Sequence, residues 1–529
     1  MATQPTKATH ESDALKLKFR SLSGSITQAE MITGLILLVI FIAVLAVIQF
    51  SSDALVGTDG YYHIRLAQIM SSQGLKPEFT WLPLTILNQA EFYDHHFLYH
   101  VALIPFTFFD LALGAKWASV IFPSLAFLGF WWVLQRQKVP YAALWALGLL
   151  VISEAFLYRM SMVRAQSLSL LVLVLGLHWM FTGRYRWLAP LGFFYVWLYN
   201  AFPLLLALAG IYTAAKWLTE GKLVWQPVFY SGLGIGLGLL INPYFPENIT
   251  FIYRHLLPKL TDATSIQVGN EWFPYRTGTL LGNSLLSLAA FASGALALGL
   301  SKNRMSAVTA TAFLTTVLFA VMLFQSRRFI EYYPPFALMF AAFAWSDLLK
   351  PQAAGEAGAR LVQDIERKIP LFKRARQSWL KPAALSAVLL VGLWITLPGA
   401  QESVRDSSPA DRYAEAATWL AANSPEGARV FQTDWDDFTR LFYYNTHNTY
   451  LVGLDPTYLQ LYDSILYDLW VEITNGEVEN PSKDIREVFE AQYVFSDLNH
   501  GDFMDSAEQD SGLVEIYRDD YAVIYEVVE

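Results

Sequence analysis

Runs of about twenty apolar residues recur along the first 398 residues of the chain, separated by short polar segments. Nine of these runs are continuous: 31–50, 117–134, 141–157, 165–182, 228–243, 279–300, 305–325, 334–349 and 382–398. A tenth, 188–217, is interrupted at 200–203 and predicts two helices with a break between them. A hydrocarbon core about 30 Å thick takes about twenty helical residues to cross. The pattern therefore predicts a polytopic α-helical membrane protein with about eleven to thirteen spans.

Lysine and arginine concentrate in every second connecting segment, which fixes a predicted orientation. These basic segments are 1–30, 136–138, 184–186, 216–222, 302–304 and, most densely, 350–381. The positive-inside rule assigns them to the cytoplasm. The N-terminal segment 1–30 is then cytoplasmic, and the multispan domain 31–398 carries two outer loops, 51–116 and 244–278. The basic segment is too long for an ordinary signal peptide, so the first run is interpreted as an uncleaved anchor in the cell (inner) membrane. Counting the apolar segment 97–113 as a further span would put the later basic segments on the wrong side of the membrane. We therefore expect it to lie along the outer membrane face or dip into it.

The remaining residues, 399–529, predict an extracytoplasmic α/β domain. An alanine-rich segment at 410–423 is typical of a helix, and five short apolar segments predict strands. The strands are 428–433, 449–454, 491–496, 513–518 and 521–527, the last two forming a hairpin around residues 519 and 520.

Composition and charge narrow the class of protein. With 54% hydrophobic and 16% charged residues, the chain is too apolar for a wholly cytosolic protein. It has no cysteine, which excludes disulfides, thiolate metal sites and cysteine nucleophiles. The net charge of −9 argues against a nucleic-acid partner. It is also an average of two unlike parts, since 27 acidic and 7 basic residues give 400–529 a charge of −20 and leave +11 on 1–399.

Three acid-bearing segments fall in the predicted outer loops. Asp59 opens the stretch Asp59-Gly60-Tyr61-Tyr62-His63-Ile64-Arg65, where it can cap a helix or act as an exposed base or metal ligand. Asp94 precedes His96 and His100, which would share a helical face. These groups suit Mn²⁺, Mg²⁺ or Zn²⁺, or serve as polar anchors at the bilayer surface. Glu271 stands in the second loop, before Trp272 and Pro274. Together these segments predict one polar centre at the outer face.

Arginines at the outer ends of spans supply the complementary charge. Arg327 and Arg328 follow one run, and Arg159 and Arg164 flank the end of another, where the positive-inside rule does not expect them. Outward guanidinium groups suit a phosphate at the headgroup level, bulk anionic lipid or an internal pair with Glu331.

In the C-terminal domain, the segment Thr433-Asp434-Trp435-Asp436-Asp437-Phe438 directly follows a predicted strand. Its carboxylates could bind Ca²⁺ or a polar substrate. Capping of the next helix through Asp436 or Asp437 is the favoured interpretation.

The order of these features resembles the C-type (GT-C) membrane glycosyltransferases, and most of all the catalytic subunits of oligosaccharyltransferases. The stretch that begins at Asp59 is similar to the family's D-x-Y-Y-H-x-R segment, and Val268-Gly269-Asn270-Glu271 to its T-I-x-E or S-V-x-E motif. Segment 434–438 would stand for the W-W-D-Y-G motif and keeps only its Trp-Asp pair. The family's second acidic motif should fall near Arg164-Ala165-Gln166-Ser167-Leu168, which has no carboxylate. Either the metal site is lost or Asp94-His95-His96 replaces it.

The resemblance implies transfer of a sugar or oligosaccharide from a polyprenyl-phosphate or polyprenyl-diphosphate donor to a protein or glycan acceptor at the outer face of a lipid bilayer. It implies a divalent cation, Mn²⁺ or Mg²⁺, among the ligands Asp59, Asp94, His96 and Glu271. Asp59 would activate the acceptor with Glu271 assisting, Arg164, Arg327 and Arg328 would hold the donor phosphate, and Trp435 and Asp436 would touch the acceptor. The alternative function is a transporter or flippase of lipid-linked saccharides.

Overall fold

The computed structural model describes residues 26–256, 269–301, 304–349 and 380–528. Most of the predicted cytoplasmic segments 1–30 and 350–381, and residues 257–268 of the second outer loop, lie outside this part. The helices before the C-terminal domain are α1 (Gln28–Gln49), α2 (Asp59–Gln73), α3 (Phe97–Leu103), α4 (Leu111–Arg136), α5 (Ala142–Leu147), α6 (Glu154–Ser161), α7 (Gln166–Phe181), α8 (Leu188–Leu198), α9 (Pro203–Glu220), α10 (Gln226–Leu240), α11 (Glu247–Phe251), α12 (Thr277–Leu300), α13 (Ala307–Gln325), α14 (Tyr333–Leu349) and α15 (Leu380–Arg405).

The helical membrane architecture is confirmed. Five of the described helices, α1, α4, α12, α13 and α15, are long and apolar enough to cross a bilayer, and a sixth span results if α5 and α6 are counted as one. The predicted break in 188–217 is present, because α8 ends at Leu198 and α9 begins at Pro203, whose missing N–H suits a first helical position. The number of eleven crossings stays a prediction.

The apolar run 141–157, counted as one continuous run in the sequence, is not one continuous helix. It is divided into α5 and α6, whose axes are bent by 78°. The Oγ of Ser153 accepts a hydrogen bond from the backbone N–H of Phe156 at 3.1 Å and so caps the second piece. The Ser153 hydroxyl also lies 2.8 Å from that of Ser284 in α12. This polar junction lies at the bend, beyond which α6 carries Arg159 away from the line of α5.

Helix ends assigned to the same side by the sequence do meet in the structure. At one face Arg136, at the end of α4, lies 3.9 Å from Glu30 at the start of α1. Asp347, near the end of α14, accepts hydrogen bonds from Ser306 at 3.0 Å and Thr309 at 2.5 Å, at the start of α13. The opposite face of the helical body, called the site face below, is the one where α2, α6 and the α13–α14 connection come together.

Close packing of helices in the body depends on small residues. A Cβ added to Gly234 of α10 would lie 2.0 Å from the carbonyl oxygen of Ala189 in α8. Only glycine permits these two backbones to approach so closely.

The C-terminal domain is confirmed as a small α/β unit. Its sheet has the strands β1 (Arg429–Gln432), β2 (Thr449–Tyr450), β3 (Tyr493–Asp497), β4 (Leu513–Arg518) and β5 (Ala522–Val527) in the order β2-β1-β3-β5-β4. The first two neighbour pairs are parallel, and the expected hairpin forms the antiparallel pair β4–β5. Its helices are α16 (Ala414–Asn423), α17 (Phe438–Tyr444), α18 (Thr457–Tyr462), α19 (Ser464–Thr474), α20 (Pro481–Glu487) and α21 (Gly501–Gln509). Helix α15 runs through the predicted boundary at 398–399 and ends at Arg405.

The sheet domain and the first loop, 51–116, share a hydrophobic core. Tyr62 of α2 packs against Phe442 of α17 with ring centroids 5.6 Å apart. The backbone N–H of Tyr450 donates to the carbonyl of Trp81 at 2.8 Å, and the Trp81 indole donates to the carbonyl of Thr446 at 2.9 Å. The two parts therefore hold one another over the site face.

Candidate active site

Asp59 is the first residue of α2, and its carboxylate faces a neighbouring loop instead of the helix backbone. Thr58 occupies the cap position without a side-chain bond. The Oδ2 of Asp59 lies 2.6 Å from Nη2 of Arg164, which stands in the turn between α6 and α7. Asp59 therefore lies in the first turn of the helix, where its negative charge is favoured, and its carboxylate is paired with a cation while Thr58 holds the cap position.

Glu271 lies in a short 3-10 turn (Asn270–Trp272) and is bound by three arginines. Its Oε2 accepts from Nη1 of Arg159 at 2.8 Å and from Nη1 of Arg164 at 2.9 Å. Its Oε1 accepts from Nη1 of Arg328 at 3.1 Å. Burial acts to raise the pKa of the Glu271 carboxyl, but the three guanidinium groups, Arg328 first, outweigh it and hold that pKa well below its ordinary value.

Two further groups complete this cluster. Glu331, buried in a 3-10 turn (Arg327–Glu331), accepts from Nη2 of Arg159 at 3.0 Å. The hydroxyl of Tyr199, in the break between α8 and α9, accepts from Nη2 of Arg328 at 2.6 Å. The cluster thus joins three guanidinium groups to three carboxylates, those of Asp59, Glu271 and Glu331, at the ends of separate helices.

Arg327 does not join this cluster through Glu271. Its guanidinium donates to the backbone carbonyls of Phe273 at 3.2 Å and Pro274 at 3.5 Å, and lies 5.5 Å from the ring centroid of Tyr275. Arg327 fixes the segment that follows Glu271.

A buried chain of three side chains lies in the first loop. The Oδ2 of Asp94 is 2.7 Å from Nδ1 of His100, and Nε2 of His100 is 2.7 Å from Nδ1 of His63, one turn after Asp59 on α2. Burial, reinforced by the His100 ring, holds the pKa of His63 well below its ordinary value. When Nδ1 of His100 donates to Asp94, its Nε2 accepts from Nδ1 of His63, so the hydrogen-bonded chain runs from His63 through His100 to Asp94.

The C-terminal motif reaches the same face. The Trp435 ring comes within 3.7 Å of the place where a Cβ on Gly269 would stand, two residues before Glu271. Burial and the neighbouring Asp434 carboxylate raise the pKa of Asp436 to about 7, and Asp59 adds to that rise. Asp437 occupies the N-cap position of α17, as the capping interpretation expects, but its side chain makes no cap hydrogen bond there.

The expected cation ligands do not converge on one point. Among the described residues no group of three or more His, Asp or Glu side chains is arranged to hold a metal ion. Asp59 and Glu271 meet through Arg164, whereas Asp94 is bound by His100 and by the backbone N–H of His96 at 3.0 Å. The His96 ring stacks on Tyr199, with centroids 5.4 Å apart. This donor set does not fit a divalent cation.

Sequence reasoning missed several members of the site, and one signal could have found some of them. Arg159 and Glu331 were not placed in the predicted polar centre with Asp59 and Glu271, and His63 and Tyr199 were given no role. A charged residue at the edge of an apolar run is costly unless it is paired, so both Arg159 and Glu331 could have been assigned to a shared polar centre.

The fold is similar to those of solved oligosaccharyltransferase and ArnT structures, in agreement with the resemblance in the sequence. An archaeal oligosaccharyltransferase, AglB from Archaeoglobus fulgidus, in complex with an inhibitory peptide and a dolichol-phosphate, aligns with a TM-score of 0.61 and 14% identity over 92% of this chain and 72% of its own. ArnT from Cupriavidus metallidurans, bound to undecaprenyl phosphate, aligns with a TM-score of 0.55 and 16% identity over 92% and 97%. An oligosaccharyltransferase from Archaeoglobus fulgidus in complex with Zn and sulfate aligns with a TM-score of 0.56 and 15% identity over 93% and 73%.

At these identities the likeness concerns the fold. No protein-family model matches the chain, and no curated protein matches it.

Proposed function

We propose that this protein transfers a sugar or oligosaccharide from a polyprenyl-phosphate or polyprenyl-diphosphate donor to an acceptor at the site face of the membrane. One observation carries the proposal: Asp59 and Glu271 lie together among the guanidinium groups of Arg159, Arg164 and Arg328. Anion-binding groups and carboxylates are the two parts that sugar transfer from a lipid phosphate requires.

The three arginines stabilise the negative charge of the leaving phosphate. A loose, oxocarbenium-like transition state places negative charge on the departing phosphate oxygens, and fixed guanidinium groups stabilise that charge. Because the three guanidinium groups are already matched by three carboxylates, the phosphate binds in exchange for one of them. Glu271, carried by a single 3-10 turn, is the carboxylate that can move aside.

The acceptor is activated by Asp59, with Glu271 assisting once the phosphate has replaced it. A carboxylate that accepts the proton of the attacking group acts as a general base. Trp435 and Asp436 stand on the C-terminal side of the same space and contact the acceptor, which is a protein or a glycan. Arg327 acts indirectly, by holding residues 273 and 274 after Glu271.

The site face is extracytoplasmic in this proposal, and the protein lies in the cell (inner) membrane with its N-terminus inside. The basic segments at the opposite face support this orientation through the positive-inside rule. A polyprenyl donor enters laterally from the bilayer, while the acceptor approaches from outside.

The test is sugar transfer in membranes or proteoliposomes that contain the native lipid-linked saccharides. Exchange Asp59→Asn keeps the size of the side chain but removes its charge, and we expect transfer to fall by at least about 10²-fold, a typical loss for a positioned base. Asp53→Asn is the matched control, because Asp53 is an exposed carboxylate of the same loop. Transfer by Asp59→Asn at the wild-type rate would exclude the role of Asp59.

The same preparation separates transfer from transport. A flippase or transporter moves the lipid-linked saccharide across the bilayer and leaves it attached to its phosphate. Mass spectrometry of lipids, proteins and glycans with and without the gene distinguishes a new glycosidic bond from a change of leaflet. Translocation without any new bond would establish the alternative function.

A further inference from the structure

Arg164 occupies the place between the two acids of the site. One of its terminal nitrogens lies 2.6 Å from Asp59 and the other 2.9 Å from Glu271, so a single guanidinium group bridges both carboxylates. All three side chains are partly buried, with 19%, 27% and 26% of their surfaces exposed. A planar fork with two donors can hold two carboxylates in a fixed relation, as a bridging cation would.

The oxygens that a metal ion would need are already in use. Both carboxylate oxygens of Glu271 accept from guanidinium groups, and those of Asp94 accept from His100 and from the backbone of His96. The segment after Arg164 offers no carboxylate in exchange. Its Gln166 is buried and donates to the backbone carbonyl of Arg159 at 2.6 Å.

The charges of this group are consistent with a resident guanidinium. Asp59, Glu271 and Arg164 taken alone sum to −1, and Arg159, Arg328 and Glu331, which are linked to them, bring the whole cluster to zero. Three carboxylates around a divalent cation also sum to −1, so a chain with one acid fewer reaches the same local charge with a monovalent bridge. Charge balance matters here because an unmatched charge in a partly buried site is costly.

Building on the proposed function, we propose that the Arg164 guanidinium serves in place of a divalent cation: it bridges Asp59 and Glu271 before the donor binds, pairs with the donor phosphate once Glu271 has moved aside, and makes sugar transfer by this protein independent of metal. Arg164 is then a catalytic residue, since it touches both the reacting carboxylates and the leaving group.

The first test measures metal binding by the purified full-length protein, without donor. Mn²⁺ is followed by electron paramagnetic resonance, and we expect no saturable site in the wild type below about 1 mM, the weak end of carboxylate cation sites. Exchange Arg164→Asp changes the local charge from −1 to −3 and gives three neighbouring carboxylates. This variant should acquire one Mn²⁺ site. Adding the substitution Asp59→Asn to it should lower the Mn²⁺ affinity of that site at least tenfold.

The control applies the same exchange to a surface pair. Arg518 binds Glu515 at 2.6 Å and 2.9 Å on the exposed strand β4, and Arg518→Asp should gain no saturable Mn²⁺ site. A saturable site in the wild type that Asp59→Asn abolishes would overturn the inference. If Arg164→Asp does not fold, the Mn²⁺ titration of the wild type still tests the inference.

The second test measures transfer by the wild type after exhaustive chelation with EDTA, against transfer with added Mn²⁺ or Mg²⁺. We expect equal rates, and loss of transfer on chelation with recovery on adding back metal would overturn the inference. Absence of transfer under both conditions would instead refute the proposed function. Mn²⁺ binding is measured without any transfer reaction. Failure of the metal-independence inference can therefore be told apart from failure of the proposed sugar transfer.

Discussion

Replacing Glu271 by glutamine is expected to destabilise the protein and at the same time strengthen its response to a lipid phosphate. The carboxylate accepts from three guanidinium groups at 2.8, 2.9 and 3.1 Å. Glutamine keeps one oxygen and turns an N–H₂ group toward donors that have no lone pair to offer it. The cluster is also left with three cations and two anions.

The loss of stability in Glu271→Gln can be estimated from the ion pairs that are lost. Removing one partner of a buried ion pair costs about 3 to 5 kcal/mol, and the remaining oxygen places the Glu271→Gln exchange near the lower end, about 3 kcal/mol. With an unfolding entropy of about 2.1 cal/mol/K per residue, 529 residues convert this into a fall in Tm of about 3 °C. The fall is larger if the membrane helices retain structure on unfolding, because the entropy change is then smaller.

The assay is thermal unfolding in detergent, with and without undecaprenyl phosphate as the probe. In the wild type the phosphate must displace Glu271, whereas in the variant the guanidinium groups lack that competitor. The ligand-induced rise in Tm should therefore be greater for Glu271→Gln than for the wild type.

Glu220→Gln is the matched control, since Glu220 forms an exposed helical pair with Lys216 at 2.7 Å and contributes about 0.5 kcal/mol or less. Equal stability of Glu271→Gln and wild type, or the same rise in Tm with undecaprenyl phosphate, would refute the view that Glu271 occupies an anion position among the arginines.

Three other predictions address the surroundings of this cluster. A double-mutant cycle of Asp94→Asn and His100→Gln, followed by thermal unfolding, should give a coupling energy of about 1 to 3 kcal/mol, because the two buried side chains share a direct bond; a coupling near zero would contradict it. Tyr199→Phe should lower kcat/KM for the donor about tenfold through loss of its bond to Arg328, and an unchanged value would exclude that role. For Asp436, the folded state binds more protons than the unfolded state between about pH 4 and 7, so wild-type stability falls as pH rises through that window. Asp436→Asn should therefore raise Tm relative to the wild type at pH 8 more than at pH 5, and an equal difference at both would contradict the raised pKa.

The parts of the fold that could be predicted are those that depend on local pattern. Hydrophobic runs of sufficient length located the helices, and turn residues located the break before Pro203 and the hairpin at residues 519 and 520. The bend between α5 and α6 was missed because the apolar run continues through it. At the bend the hydroxyl of Ser153 meets that of Ser284 in a distant helix, a tertiary contact that the local pattern does not show.

The candidate site divides in the same way. Asp59, Glu271 and the arginines were expected near one another, because they end segments assigned to one side of the membrane. Their partners could not be assigned, since Arg164 and Glu271 are 107 residues apart and their pairing depends on how two loops pack. The chain from Asp94 to His63 depends likewise on tertiary contact, with His63 and His100 separated by 37 residues.

The missing second acid near residue 166 and the paired state of Arg164 are two aspects of one arrangement. A carboxylate there would stand beside Asp59 and Glu271 and require a divalent cation to balance it. Without that carboxylate, a divalent cation beside Asp59 and Glu271 would leave the group neutral, whereas the guanidinium group leaves it at −1. The sequence difference that first suggested a lost metal site is thus the condition under which Arg164 can occupy the centre of the site, between the acid that meets the acceptor and the acid that gives way to the donor phosphate.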